Sequence, residues 1–122
     1  MPTPFVDALR GADRPAFEQL LAENVVFNSP VRSYREREEV LGLLTLLGGL
    51  LPDLAVRREV SEGAETVTFL AATVDGQPID GVLDEQRATD GGVAEVTLML
   101  RPLKTLLVAV ERMGAALAAR NS

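Results

Sequence analysis

Val25-Val26-Phe27-Asn28-Ser29-Pro30 leads through Tyr34 into a leucine-packed stretch, and later in the chain Val93-Ala94-Glu95-Val96-Thr97-Leu98-Met99-Leu100 runs straight into Arg101-Pro102-Leu103. The first passage reads as a brief strand, Val25 to Ser29, stopped by a proline that has no N–H to give to a ladder. The second reads as a final strand handing over to a helix, with Pro102 in the helix's first turn. Strands feeding helices near both ends of the chain imply a curved sheet closed by helices around an apolar interior.

Working outward, the opening residues predict two short helices. Phe5, Ala8, Leu9 and Ala12 follow helical spacing, and Asp13 is placed to cap a second helix with Pro15 in its first turn and Phe17, Leu20 and Leu21 on its buried stripe. Ser33 and Glu36 have the spacing of a capping box for the next helix. In that helix seven of the eleven residues from Leu41 to Leu51 are leucine, more than one amphipathic face requires, so it is expected to be covered on two sides until Pro52 ends it.

From Leu54 the period falls to two. Strands are predicted over Leu54–Ser61, Thr66–Val74 and Ile79–Thr89, with Asp75-Gly76 as a two-residue hairpin turn and Gly81 as a candidate bulge. Asp90-Gly91-Gly92 turns the chain into the last strand. Leu103, Leu106, Val110, Met113 and Leu117 then step by three and four along a terminal helix. The order is two helices, strand, helix, four strands, helix: an α+β fold with a mainly antiparallel sheet, expected to form a single domain over residues 1–122.

Composition narrows function by exclusion. The 122 residues carry a net charge of −6, and the twelve Lys and Arg residues are scattered, so no concentrated basic face is available for a nucleic-acid backbone. Val40 to Leu51, the most apolar stretch, is interrupted by glycines and falls short of the ~20 residues a membrane span needs. The start Met1-Pro2-Thr3-Pro4 lacks the basic and apolar regions of a signal peptide. Absence of cysteine removes any disulfide framework, and the expected location is the cytoplasm. With no histidine and no cysteine, the side chains most used for proton transfer near neutrality and for metal binding are missing. No metal and no cofactor are expected, since the acidic residues lack a calcium-loop spacing and the chain has no phosphate loop, dinucleotide fingerprint or nucleophile elbow.

Ala8-Leu9 to Asp13, Leu20-Leu21, Val26-Phe27-Asn28-Ser29-Pro30-Val31 with Tyr34 and Arg37, and Val96 to Leu103 together resemble the nuclear transport factor 2-like superfamily, in particular its SnoaL-like branch. That resemblance implies a conical fold: a strongly curved, mainly antiparallel sheet wrapped around helices, an internal apolar pocket open at one end, and often a homodimer through the outer sheet face. It does not choose a function, because the fold hosts ketosteroid isomerases, polyketide cyclases, dehydratases, epoxide hydrolases and members without catalysis.

Carried over residue by residue, the isomerase pattern is broken. Its general-base Asp, immediately before the proline, is Ser29, and its oxyanion tyrosine falls at Phe5. Its oxyanion Asp aligns with Asp84 if the turn at Asp90-Gly91 is shortened by one residue. Dehydratases of the scytalone type rely on histidine, which is absent. Asp84 is therefore the one candidate catalytic residue, an acid kept neutral by desolvation, against the reading that it lies on a water-facing strand surface with Asp80. Tyr34 is a candidate ligand hydroxyl at the pocket mouth, or half-buried packing. Ser29 is a candidate polar contact, or the end of a strand. Phe27, with Phe5, Phe17 and Phe69, is a candidate aromatic wall. Arg101 offers an anion contact, or a salt bridge.

The leading expectation is a small protein that binds an apolar small molecule, such as a polyketide, terpenoid, steroid or fatty acyl group, without complete catalytic machinery. The alternative is an isomerase, cyclase or dehydratase using Asp84 as acid or base. A further alternative is an interaction module whose outer sheet face, through Glu95, Thr97 and Met99, meets a second copy or another protein, while Val96, Leu98 and Leu100 point inward.

Overall fold

A computed structural model describes residues 2–120. Two short helices open the chain, α1 (Pro4–Arg10) and α2 (Arg14–Leu20), each capped by the residue before it: Thr3 Oγ1 accepts from the Val6 N–H at 3.2 Å, and Asp13 Oδ1 accepts from the Ala16 N–H at 3.1 Å. They are followed by β1 (Leu21–Asn28), β2 (Ser33–Tyr34), α3 (Arg37–Leu50), β3 (Ala55–Glu62), β4 (Glu65–Val74), β5 (Gln77–Arg87), β6 (Val93–Arg101) and α4 (Leu103–Arg120).

The strands form one six-stranded sheet in the order β2-β1-β6-β5-β4-β3, antiparallel throughout except for the parallel β1–β6 pair. The sheet is curved, and the helices pack on its concave face. Alternation assigns the sides. Leu70, Ala72, Ile79, Leu83, Val96 and Leu98 are buried on the concave face, while Asp80, Val82, Asp84, Thr97 and Met99 take the other. Asp75 and Gly76 turn β4 into β5 with φ of 51° and 77°, the left-handed pair that a two-residue hairpin needs.

The leucine-rich α3 is covered on two sides as expected. It buries Val40, Leu41, Leu43 and Leu44, and its Gly48 lies so close to α1 that a Cβ there would collide with the Leu9 carbonyl. Phe5 and Phe17 meet edge to face beneath it, with ring centroids 5.2 Å apart. Arg37 reaches back to donate to the carbonyls of Glu18 and Leu21, fixing where α3 starts.

Local expectations fail in several places, among them the two-residue strand β2, which the expected order of five strands lacks. The Ser33–Glu36 capping box does not form, because Ser33 is spent in β2, where its hydroxyl donates to Asn28 Oδ1 at 2.6 Å; Glu36 takes the N-cap place without a side-chain bond. Leu21 belongs to β1 rather than to the stripe of α2. Gly81 is not a bulge, since β4–β5 pairing runs unbroken from Glu65↔Gln86 to Val74↔Gln77; glycine is needed there because a Cβ would lie 2.6 Å from Leu100 Cδ2 and 2.9 Å from the Met99 carbonyl.

Candidate functional site

One end of the concave face is left unfilled. The cavity there measures about 220 Å³ and is lined by Phe27 of β1, Ser29, Pro30 and Val31 of the turn, Tyr34 of β2, Leu43 and Leu47 of α3, Leu98 and Leu100 of β6, and Leu106, Ala109, Val110, Met113, Gly114 and Leu117 of α4. Its size is below the ~300–1,000 Å³ of common ligand clefts, so it suits a small apolar body. The exposed members of the lining mark the mouth: Pro30 and Val31 form one lip, Val110 and Gly114 of α4 the other.

Polar groups are confined to that mouth. The Phe27 and Tyr34 rings stack with centroids 6.2 Å apart at 24°, and the Arg32 guanidinium lies 4.6 Å from the Tyr34 ring centroid. Ser29, although in the lining, is occupied by the turn: its hydroxyl donates to the Arg32 carbonyl at 2.8 Å and accepts from the N–H groups of Val31 and Arg32 at 3.2 and 3.1 Å. Of the sequence-derived candidates, Tyr34, Ser29 and Phe27 are thus brought together at one place. Among the described residues Tyr34 is also the sole titratable side chain in the lining.

Asp84 is not with them. Between Leu83, 1% exposed, and the equally buried Glu85, strand alternation directs it to the convex side, where its pairing neighbours are Val67 and Thr97. There it faces Glu65, whose carboxyl is pushed up first by a hydrogen bond with Asp84 and then by its charge. Asp84, expected in the pocket, is thus not among the residues that line this cavity.

The buried carboxyl belongs to the next residue. Glu85 points to the concave face, 1% exposed, and accepts the Thr3 hydroxyl at 2.6 Å. Burial pushes it up, while the Thr3 hydrogen bond and the Arg87 charge pull the other way. The sequence held the signal: counting by two from Ile79 and Leu83 lands on Glu85. Glu85 nonetheless does not line the cavity, since Thr3 at the start of α1 sits on it.

The remaining candidates divide between core and convex face. Phe5 and Phe17 are core packing, whereas Phe69 lies on the convex face beneath Arg58, whose guanidinium is 5.5 Å from its centroid. Arg101 pairs with Asp80 at 3.3 Å, and Arg57 approaches the same carboxylate at 3.7 Å. Among the described residues no group of three or more acidic side chains gathers as metal ligands, and no helix is long and apolar enough to cross a membrane.

No protein-family model and no curated protein matches the chain. Solved structures do. A steroid delta-isomerase from Pseudomonas aeruginosa superposes with a TM-score of 0.88 at 24% identity, over 95% of this chain and 88% of that one. An uncharacterised bacterial protein with a cystatin-like fold from Silicibacter pomeroyi gives 0.86 at 23% identity, over 90% and 79%. A putative SnoaL-like polyketide cyclase from Jannaschia gives 0.66 at 20%, over 84% and 83%. Curved six-stranded sheet, concave-side helices and these superpositions agree: the chain has the nuclear transport factor 2-like fold.

Proposed function

We propose that this protein takes a small apolar molecule into the cavity beneath α4 and holds it without transforming it. The observation that carries the reading is the character of the lining. Fifteen described residues line the space, nearly all of them aliphatic or aromatic, and among these the one titratable group is a tyrosine at the mouth. General acid–base chemistry needs a positioned donor or acceptor within reach of the substrate, commonly a pair. Apolar burial alone gives affinity for a hydrophobic body at ~25 cal/mol per Å² removed from water, before association costs.

Thermal unfolding with 1-octanol as probe tests the reading. The parent is expected to gain several degrees, and a variant with the cavity filled, Gly114→Leu, is expected to gain none. Gly114 has no heavy atom within 4 Å of where a Cβ would stand, so the larger side chain can enter the open space. Equal stabilisation of both proteins places the ligand elsewhere and ends the proposal.

A homodimer through the convex sheet face is part of the same reading, as is residence in the cytoplasm, which suits a chain without cysteine. Two features support the dimer. Met99 is 57% exposed beside Val82 and Phe69, and charge is unevenly spread along the strands, with Arg58 and, around Asp80, Arg57 and Arg101 towards one end and Glu65, Asp84 and Glu95 towards the other. A two-fold pairing with strands antiparallel sets each copy's arginine end against the other's acidic end. Sedimentation of Met99→Asp tests it, with a shift to monomer expected and an unchanged sedimentation coefficient contradicting it.

A further inference from the structure

The geometry points to the class of ligand: an amphiphile with a short apolar body and a carboxylate head, the body in the cavity and the head on Arg32. This rests on the cavity reading above and adds to it the polar end of the molecule. Arg32 stands at the mouth beside Val31, and its position is fixed at two levels. Its backbone is tied to Ser29 by three hydrogen bonds: the Ser29 N–H and hydroxyl donate to the Arg32 carbonyl at 2.9 and 2.8 Å, and the Arg32 N–H donates to the Ser29 hydroxyl at 3.1 Å. Its guanidinium is laid on the Tyr34 ring at 4.6 Å.

So placed, the group engages Tyr34, ring and hydroxyl both, and keeps donors to spare. Its nearest carboxylate, on Glu39, is 3.9 Å away, beyond hydrogen-bonding distance, and the side chain is 66% exposed. A guanidinium has five N–H donors in a planar fork that matches a carboxylate, and one pre-positioned by stacking loses less freedom on binding. Inward, the described lining is closed to charge, because a head group there meets apolar side chains such as Leu98, Leu100, Leu106 and Met113. The mouth is therefore where a polar head must lie, and the fixed polar group it meets there is a cation.

Calorimetric titration with octanoate, 1-octanol and octyltrimethylammonium tests the assignment, since the three share a chain and differ in head group. Octanoate is expected to bind the parent about fivefold more tightly than octanol, the size of an exposed charge pair, and the cation more weakly than either. The advantage of octanoate over octanol is expected to shrink with added salt. In Arg32→Gln that advantage is expected to vanish with octanol affinity unchanged, and in Arg32→Lys to return in part. Equal affinity of octanoate and octanol for the parent overturns the carboxylate head while leaving the apolar cavity standing. A parallel loss of both in Arg32→Gln assigns Arg32 to packing and overturns it too. Failure of all three probes to bind removes the cavity reading, and this one with it.

Discussion

The two ends of the concave sheet face are built in opposite chemistry. At one end Leu98 and Leu100 of β6 meet α4 and leave about 220 Å³ unfilled; at the other, Thr66, Thr68 and Glu85 of β4 and β5 lie fully buried with Thr3 closing over the carboxyl. The apolar end remains open because its cover is half-committed: among the apolar side chains of α4 none is fully buried, and Leu103, Leu107 and Val110 stay exposed, whereas α3 buries most of its own. The polar end is shut because a buried carboxyl without a partner is expensive, and α1 supplies one. Accessibility, more than the presence of a titratable group, therefore separates the end that can hold a ligand from the end that holds the fold.

Substitutions at the two ends should act on different observables. The largest effect is expected from Leu98→Ala, which removes a side chain 3% exposed that also lines the cavity. It should cost about 2–5 kcal/mol in denaturant unfolding and leave a larger space. Thr3→Val at the other end should cost about 1–3 kcal/mol, because it strips the hydroxyl from Glu85 and from the Val6 N–H, yet leave octanol affinity at the parent value. A change in octanol affinity in Thr3→Val breaks the separation of the two ends.

Proton linkage offers a finer test at the closed end. The Glu85 carboxyl is raised in the folded state, so the folded protein binds its proton more tightly than the unfolded chain does. Its contribution to stability is complete below the ordinary carboxyl value of 4.5 and is lost as pH rises through the raised value. Melting temperatures of the parent, relative to Glu85→Gln, should fall across that window, and parallel pH profiles would refute the assignment. The smallest effect is expected at the open end. Arg112 of α4 donates through two nitrogens to Asp75 Oδ2 at 2.9 and 2.7 Å, but both side chains are about half exposed. Arg112→Ala should thus leave the denaturation midpoint nearly unchanged while speeding amide exchange in α4 alone.

Much of this architecture is legible in the chain because local physics determines it. Asp13 caps, Asp75-Gly76 turns, and the leucines from Leu41 onward are buried on two sides, each through contacts with near neighbours or through composition alone. The site is less legible because it depends on phase and on distant partners. Asp84 and Glu85 differ by one residue, and one residue decides which side of a strand a carboxylate takes. Ser29 and Tyr34 could be placed at the mouth from their position after β1, but nothing adjacent in sequence reveals that Ser29 is spent on Arg32. The terminal seam on α4 reads like any buried helix; that it covers a void follows only from how α3 and β6 fill the space beneath it.

The central claim is that the space beneath α4 is a binding site for an apolar molecule. Titration of 1-octanol into the parent and into Gly114→Leu, with Thr3→Val as the control at the closed end, addresses it most directly. Saturable binding to the parent and to Thr3→Val, abolished in Gly114→Leu while that variant keeps the parent's melting temperature or exceeds it, is the result expected here. Binding that survives in Gly114→Leu, or that is absent from the parent, contradicts the claim.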